Sequence, residues 1–285
     1  MATFFNKATL SFGGNILNSN TTEAELLSGL EITKTPINSS YSANGSIVYV
    51  VSLNNRGGST YNNLTIVDDL GAYTIPGGST FVPLSYVNSS IIYYLNGILQ
   101  PSPTVSSVGN LTIEGIDLPA NSTALFIYEA SVNEFAPLSA GSSITNTVTT
   151  DGGAGIGEIS DSSTVAVNEA PELTIAKAVC PAILNDNEKL TYTIIVQNLG
   201  NTSIIATDGV IISDVFSPVL SDISVSLNGT PLELTTGYTY DAVSGAFSTV
   251  DGVITVPSAS YAQDPTTGVI TTTPGVTVLT VTGTV

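Results

Sequence analysis

Lysine, aspartate and asparagine recur at matching places in the two halves of this 285-residue sequence. Lys34 closes the segment Leu-Glu-Ile-Thr-Lys, and Lys177 closes the corresponding segment Leu-Thr-Ile-Ala-Lys. Only four lysines occur in the chain, so two of them at equivalent places are informative. A carboxylate follows each lysine at a similar separation, Asp68 in the first half and Asp214 in the second.

An asparagine completes each set, Asn146 in Ile-Thr-Asn-Thr-Val and Asn6 in Phe-Phe-Asn-Lys-Ala. Side chains alternate between the two faces of a strand, so residues in phase with apolar neighbours point towards the core. In the first set, the residues in phase are Leu30, Ile32 and Lys34; Leu64, Ile66, Asp68 and Leu70; and Ile144, Asn146 and Val148. In the second set, they are Leu173, Ile175 and Lys177; Val210, Ile212, Asp214 and Phe216; and Phe4, Asn6, Ala8, Leu10 and Phe12.

A buried charge is costly unless it is paired, which leaves two predictions for these residues. One is an ion pair of lysine and aspartate hydrogen-bonded to asparagine, or a lysine that reaches outward at the strand end. The other is covalent: a neutral lysine amine attacks the asparagine amide, aspartate carries protons, and an isopeptide bond forms as ammonia leaves. A low dielectric lowers the pKa of an amine and raises that of a carboxyl, which suits this chemistry.

Composition argues against several classes of function. The net charge of −18 disfavours nucleic acid and anionic membrane surfaces as partners. The chain has no histidine and none of the common hydrolase, phosphate-loop or metalloprotease motifs, so we expect no enzyme, metal or cofactor. No apolar run approaches the roughly 18 residues of a membrane span, and no signal peptide is evident. The single cysteine, Cys180, excludes an internal disulfide and is predicted to be buried.

Strict alternation of apolar residues predicts an all-β chain built from two copies of one antiparallel sandwich. The segment Ile47–Asn54 matches Leu190–Gln197, and Tyr94-Leu-Asn-Gly matches Ser226-Leu-Asn-Gly. The stretch 257–275 is rich in proline, glycine and threonine and is predicted to be a surface excursion.

The copies are permuted relative to the chain ends. The first copy closes with a predicted hairpin over residues 144–167, and the second is expected to reach only the strand before that hairpin. A similar hairpin is predicted at residues 4–27. Lys34 and Lys177 are 143 residues apart, and Lys177 is 142 residues from Lys34 of a copy placed after it. Chains laid head to tail would therefore make one uninterrupted array of the repeat.

Several features together resemble a known family. They are the two segments that end at Lys34 and Lys177, the Asn-containing turns after Ile47–Asn54 and Leu190–Gln197, Asp68, Asp214 and the segment Ile-Thr-Asn-Thr-Val. The family is the conserved-repeat domain of unknown function, number eleven, found in tandem on bacterial cell-surface proteins. The resemblance implies immunoglobulin-like β-sandwiches, an extracellular setting and no catalytic activity. The order of lysine, carboxylate and asparagine also resembles the isopeptide-forming sandwich domains of bacterial pili.

These observations predict an N-terminal donor hairpin (1–27), a first immunoglobulin-like sandwich (28–168) and a second, incomplete acceptor sandwich (169–285). A sandwich without its final strands has open edges, and a free hairpin is marginal in water, so each would complete the other. The predicted donor residues are Phe4, Ala8, Leu10 and Phe12, and the predicted acceptor residues are Val276, Val278, Val281 and Val285.

The predicted function is that of a structural subunit of an extracellular filament on a cell or spore surface. The subunits would polymerise head to tail through the N-terminal strands, with other copies of the chain as partners. Two alternatives remain open. The hairpin could dock on its own domain beside a degenerate second repeat, or the chain could be a monomeric surface or adhesion module that binds a ligand through its loops.

Overall fold

A computed structural model describes residues 2–26, 29–151, 157–183, 185 and 188–285, with side chains in the first segment from Phe5 to Glu23. The chain is all-β, and no α-helix occurs in these segments; a single 3-10 turn spans Ala206–Asp208. Two compact units divide the chain. Unit 1 extends to Pro137 and includes Ser143–Ala166, whereas unit 2 takes Leu138–Ser142 and Val167–Val285.

The chain opens with a long hairpin whose strands pair only with each other among the described residues. Strand β1 is Ala2–Phe12 and β2 is Asn15–Leu26. The turn uses Gly13 and Gly14, both at positive φ, which glycine adopts without steric cost. The register shifts between Lys7 and Thr9, where β2 carries an extra residue. Side chains from Phe5 to Glu23 are exposed.

Unit 1 is a sandwich of two antiparallel sheets. The first has the order β11-β10-β14-β5-β3, with β9 also on β14, and the second has the order β12-β13-β6-β15-β16-β4. The pair β7-β8 stands apart. The strands are β3 Leu30–Pro36, β4 Ser40–Tyr41, β5 Ser46–Asn55, β6 Tyr61–Asp68, β7 Tyr73–Thr74, β8 Thr80–Phe81, β9 Leu84–Tyr86, β10 Ile92–Leu95, β11 Ile98–Leu99, β12 Thr104–Ser106, β13 Leu111–Leu118, β14 Ser122–Val132, β15 Ser143–Asp151 and β16 Glu158–Val167.

Unit 2 repeats this plan with fewer strands. Its larger sheet has the order β17-β18-β26-β20-β21, its smaller sheet has the order β19-β23-β22, and β24-β25 form a separate hairpin. The strands are β17 Leu173–Cys180, β18 Lys189–Asn198, β19 Ser213–Val215, β20 Ser221–Leu227, β21 Thr230–Leu232, β22 Tyr238–Tyr240, β23 Ala246–Thr249, β24 Ser260–Gln263, β25 Ile270–Thr273 and β26 Gly275–Thr284.

Period-two alternation positions the core of both units. Along β5 every second side chain is buried, beginning at Ile47, and β14 shows the same alternation from Ser122 to Val132. In unit 2 the core gathers residues from both sheets, including Ile194, Phe216, Phe247 and Leu279. Burial of such side chains on the inner faces of two sheets is the main favourable term for a sandwich.

The two units end their second long strand with the same buried asparagine. Asn55 donates to the Ser59 carbonyl at 2.8 Å and accepts from the Gly57 amide at 2.9 Å. Asn198 likewise donates to the Thr202 carbonyl at 2.7 Å, and its oxygen accepts from Gly200 at 2.9 Å and Glu172 at 3.0 Å. The matching turns align Asn55 with Asn198, in agreement with the alignment of the two sequence copies.

Two predictions are corrected by the structure. The predicted acceptor strand is β26, but β26 pairs with β18 on one side and β20 on the other, so it has no free edge. Its valines also divide between faces: Val281 is buried, Val276 is exposed, and Val278 and Val285 are half-buried. The surface excursion predicted at 257–275 contains the hairpin β24-β25, whose residues are exposed or half-buried. Cys180 is exposed, as is every residue of β17.

Replacing Asn198 by alanine should lower the free energy of unfolding of unit 2 by about 3 kcal/mol, because three backbone groups lose a buried partner at about 1 kcal/mol or more each. Hydrogen exchange with mass spectrometry would report the loss of protection in unit 2 alone. Gln197→Ala, on the adjacent exposed side chain, is the control and should change little. Equal protection in the two variants would contradict this role of the turn.

Candidate functional site: a buried lysine cluster and its uncovered counterpart

Unit 1 buries an ion pair between its two sheets. Lys34 lies on β3, Asp68 ends β6, and the lysine Nζ contacts the aspartate Oδ2. The lysine side chain has no exposed surface, and that of Asp68 is 1% exposed. Both residues lie where the alternation of their strands directs a side chain inward. The structure therefore brings together two of the residues that the sequence placed in one set.

Both carboxylate oxygens of Asp68 accept hydrogen bonds. Its Oδ2 also accepts from the Tyr128 hydroxyl, and its Oδ1 accepts from the Leu70 amide at 2.9 Å. Lys34 donates to the same Tyr128 hydroxyl at 2.8 Å, which closes a triangle of three polar groups. A buried charged pair is tolerated when its remaining donors and acceptors are met in this way.

Two tyrosine rings enclose the lysine. Its Nζ lies 4.4 Å from the centroid of the Tyr49 ring and 5.5 Å from that of Tyr128, which are cation–π distances. Burial lowers the pKa of Lys34 from its ordinary value, and the nearby Asp68 carboxylate opposes the decrease. Burial also raises the pKa of both tyrosines, so their hydroxyls stay protonated.

Asn146 is buried next to this pair without a hydrogen-bond partner. It lies on β15, has no exposed surface, and neither Oδ1 nor Nδ2 finds a partner within the described part of the chain. Its amide lies beside the Tyr49 hydroxyl, outside good hydrogen-bond geometry but close enough to moderate the rise in the tyrosine pKa. Across the ladder, Asn146 faces Ser163 on β16, whose hydroxyl is also unpartnered among the described residues.

The hairpin β15-β16 is what covers the lysine. β15 pairs with β6, where Val148 lies opposite Asp68. From β16, the carboxylate of Asp161 accepts a hydrogen bond of 2.7 Å from the backbone amide of Lys34. Leu30 and Ile32, in phase with Lys34, are accordingly only 3% and 6% exposed.

Unit 2 contains the same ion pair without the cover. Lys177 on β17 contacts Asp214 on β19, but their side chains are 39% and 19% exposed. The lysine lies 4.2 Å from the ring centroid of Tyr192, the counterpart of Tyr49, and 5.3 Å from that of Phe216. The pair is thus formed, and one side of it faces solvent.

The uncovered region follows β17 and one edge of β19. Ile175 and Leu173 are 64% and 41% exposed, although they occupy the places of Ile32 and Leu30. In unit 1, β6 lies between β13 and β15. In unit 2, β19 pairs with β23, and its other edge has no partner strand among the described residues.

The predicted donor residues lie on the exposed N-terminal hairpin. Asn6, Ala8, Leu10 and Phe12 alternate on one face of β1, and Leu10 and Phe12 are 60% and 68% exposed. Asn6 lies opposite Thr22, as Asn146 lies opposite Ser163. The side chain of Phe4 lies outside the described residues. Asn6 and Lys177 belong to different units, and each is exposed.

Sequence reasoning missed Tyr49, Tyr128 and Asp161. A signal existed for Tyr49, because the matched strands place it opposite Tyr192 in the alignment of the two copies. Tyr128 and Asp161 carried no local signal, since their contacts cross 60 or more residues of chain. In the described ranges no cluster of three potential metal ligands occurs, and no helix there is long and apolar enough to cross a membrane.

Comparison with known proteins finds only distant similarity to solved structures. No protein-family model and no curated protein matches it. Among solved structures, the major pilin subunit BcpA of Bacillus cereus is 12% identical, with 95% of this chain and 73% of that chain covered and a TM-score of 0.37. The major pilin GBS80 of Streptococcus agalactiae is 12% identical, with 79% and 78% covered and a TM-score of 0.35.

The collagen-binding subdomain of the surface protein ACE from Enterococcus faecalis is 6% identical, covering 51% of this chain and 100% of that one at a TM-score of 0.30. TM-scores this low carry no function over to this chain. The resemblance to the conserved cell-surface repeat likewise stays a prediction.

Asp68→Ala should destabilise its unit far more than Asp214→Ala. The first change leaves a fully buried lysine unpaired, at about 3–5 kcal/mol. The second removes a half-exposed pair that solvent already screens, at no more than about 1 kcal/mol. Urea unfolding followed by unit-resolved hydrogen exchange would measure both. Similar losses in the two units would show that burial does not set the strength of the pair.

Proposed function

We propose that the chain is the structural subunit of an extracellular filament on a cell or spore surface. The hairpin β1-β2 of one copy completes unit 2 of the next by adding to the free edge of β19. In this arrangement β1 takes the place that β15 holds beside β6 in unit 1. The proposal replaces the sequence-based acceptor strand β26, whose two edges are both occupied.

The contrast between β3 and β17 carries the proposal. β3 pairs with β5 in the same register as β17 pairs with β18. The equivalent isoleucines nevertheless differ about tenfold in exposure, 6% for Ile32 and 64% for Ile175. The difference arises from the hairpin β15-β16, which covers β3. A second hairpin of the same kind would cover β17 equally well.

The N-terminal hairpin has the features of that second cover. Its β1 places Asn6 where β15 places Asn146, and each asparagine has a small hydroxyl residue opposite, Thr22 or Ser163. Its apolar residues Leu10 and Phe12 follow in phase with Asn6 and are exposed. The exposed side chains favour donation to another copy over docking of the hairpin on its own unit.

Strand addition supplies two kinds of stabilisation. Backbone hydrogen bonds form along an edge that is otherwise unpaired, and apolar side chains on both partners leave water. Burying one leucine, isoleucine or phenylalanine side chain is worth about 1.5–3 kcal/mol, and several are exposed on each partner. The contact joins different surfaces of two identical chains, so it repeats without closing and produces a fibre.

Leu10→Asp should abolish fibre formation, because it places a charge where the donated strand meets the core of unit 2. The matched control is Ser11→Asp, which adds the same charge on the opposite face of β1. Negative-stain microscopy and sedimentation of the purified full chain would measure assembly. We expect fibres from the control and only monomers from Leu10→Asp, with both variants folded by circular dichroism.

The acceptor side has its own matched pair, Ile175→Asp and Thr174→Asp, which lie on opposite faces of β17. Ile175→Asp should block growth and Thr174→Asp should permit it. Normal fibres from Leu10→Asp and Ile175→Asp would refute hairpin donation. A wild-type chain that stays monomeric at high concentration would favour the surface-module alternative instead.

A further inference from the structure

We propose that unit 1 contains a self-formed amide bond between Nζ of Lys34 and Cγ of Asn146. Lys34 is the nucleophile, the Asn146 side-chain amide is the electrophile, and Asp68 carries the protons. Tyr128 is a positioning residue that holds the lysine and the aspartate together. This inference concerns the interior of one unit and does not depend on filament assembly.

The unpartnered amide of Asn146 is the first observation. An amide with no exposed surface and no hydrogen-bond partner is costly, and native proteins rarely keep one without a role. Here both polar atoms of the side chain are unpartnered among the described residues, although Lys34, Asp68 and Tyr128 bond to one another. Conversion of this amide into a lysine amide would give the group a function.

The second observation is that the nucleophile and the electrophile both lie beside Tyr49. The lysine Nζ lies 4.4 Å from the centroid of the Tyr49 ring, and the Asn146 amide lies beside the hydroxyl of the same tyrosine. β3 and β15, which carry the two residues, pack against each other inside unit 1. A bound pair in this arrangement reacts without the entropic cost of encounter.

The third observation is the state of the lysine. An ammonium group is not nucleophilic, so the proton must leave before attack. Burial lowers the pKa of Lys34, and its proton has an acceptor in contact, the Asp68 carboxylate. Proton transfer within this contact gives a neutral amine and a neutral carboxylic acid, and the pair then carries no buried charge.

The reaction balances within these groups. The Nζ lone pair forms a bond to Cγ of Asn146 while the carbonyl oxygen takes up the displaced electron pair. The bond from Cγ to Nδ2 then breaks, and Asp68 passes a proton from Nζ to the leaving nitrogen. One primary amide and one amine become one secondary amide and one ammonia, with no oxidant, reductant or further reactant.

The intact mass of the purified full chain tests the bond. We expect a mass about 17 Da below that of the sequence, the mass of one ammonia. Trypsin should then fail to cleave after Lys34, and peptide 8–56 should remain joined to peptide 57–177. A mass equal to that of the sequence, with free peptides 8–34 and 35–56, would overturn the proposal.

Variants identify the participants. Asn146→Ala removes an amide that makes no hydrogen bond, so the variant should fold, yet it should regain the full mass and melt at a lower temperature than the wild type. Asp68→Ala keeps both reacting groups and should also show the full mass. Asn6→Ala, at the matching place on the hairpin, is the control and should leave the intrachain loss unchanged. A 17 Da loss that persists in Asn146→Ala would place the chemistry elsewhere.

The uncovered pair in unit 2 extends the inference to the junction between subunits, a step that rests on the proposed function. Lys177 and Asp214 are already in contact, and the donated β1 would bring Asn6 to them as β15 brings Asn146. The same exchange of amides would then join Lys177 to Asn6 of the next copy, with loss of one ammonia at each junction.

Fibres boiled in detergent would test this junction. We expect a ladder of multimers on denaturing gels, in which peptide 1–7 is joined to peptide 57–189. Asn6→Ala should remove the ladder and Asn146→Ala should keep it. Fibres that form but dissolve to monomers would reject the covalent junction alone, whereas the absence of fibres would reject the proposed function.

Discussion

The enclosure of one lysine side chain between two sheets is the constraint on which unit 1 depends. Lys34 can be enclosed only because Asp68, Tyr128 and the aromatic rings satisfy it, and because the hairpin β15-β16 excludes water from it. The lysine of unit 2 keeps solvent contact, and no hairpin among the described residues covers it. Strand pairing and side-chain electrostatics are therefore coupled. Adding two strands would remove apolar surface from water and would also change the environment of an ion pair.

Local alternation accounts for much of what could be predicted from the sequence. Lys34, Asp68 and Asn146 all lie on inward faces because the period of a strand fixes the face of every second residue. The edge available to an added strand could not be obtained in this way. Which strands become neighbours depends on contacts between distant segments, and these contacts are not evident in the sequence. The sequence therefore indicated β26 as an edge strand, whereas β26 lies between β18 and β20.

Cys180 illustrates the same limit. Its residue type favours burial, but it ends β17, in which every residue is exposed. Tyr49 illustrates the reverse: it repeats as Tyr192 in the matched segment, and both rings lie beside a lysine. A residue that has the same type and strand phase in both copies was thus better evidence for the site than the burial preference of one residue type.

The strong negative charge sets a second condition on assembly. Each copy carries a net charge of −18, so approaching chains repel. Salt at 0.1 M largely screens that repulsion between charges more than about 10 Å apart. In the proposed filament, the exposed Leu10, Phe12 and Ile175 would provide a contact that does not depend on charge. Such a contact would favour end-to-end addition over lateral aggregation of like-charged chains.

A bond between Lys34 and Asn146 would also change how a fibre carries load. It joins the first strand of unit 1 to the penultimate one, so force entering near residue 34 could leave near residue 146 without unfolding the segment between them. Hydrogen bonds alone would have to hold that segment otherwise. With the corresponding bond at each junction, the path of tension would be covalent from one subunit to the next. The sandwich would then serve as a scaffold that brings three side chains together, and stability of the fibre would no longer be limited by the free energy of folding.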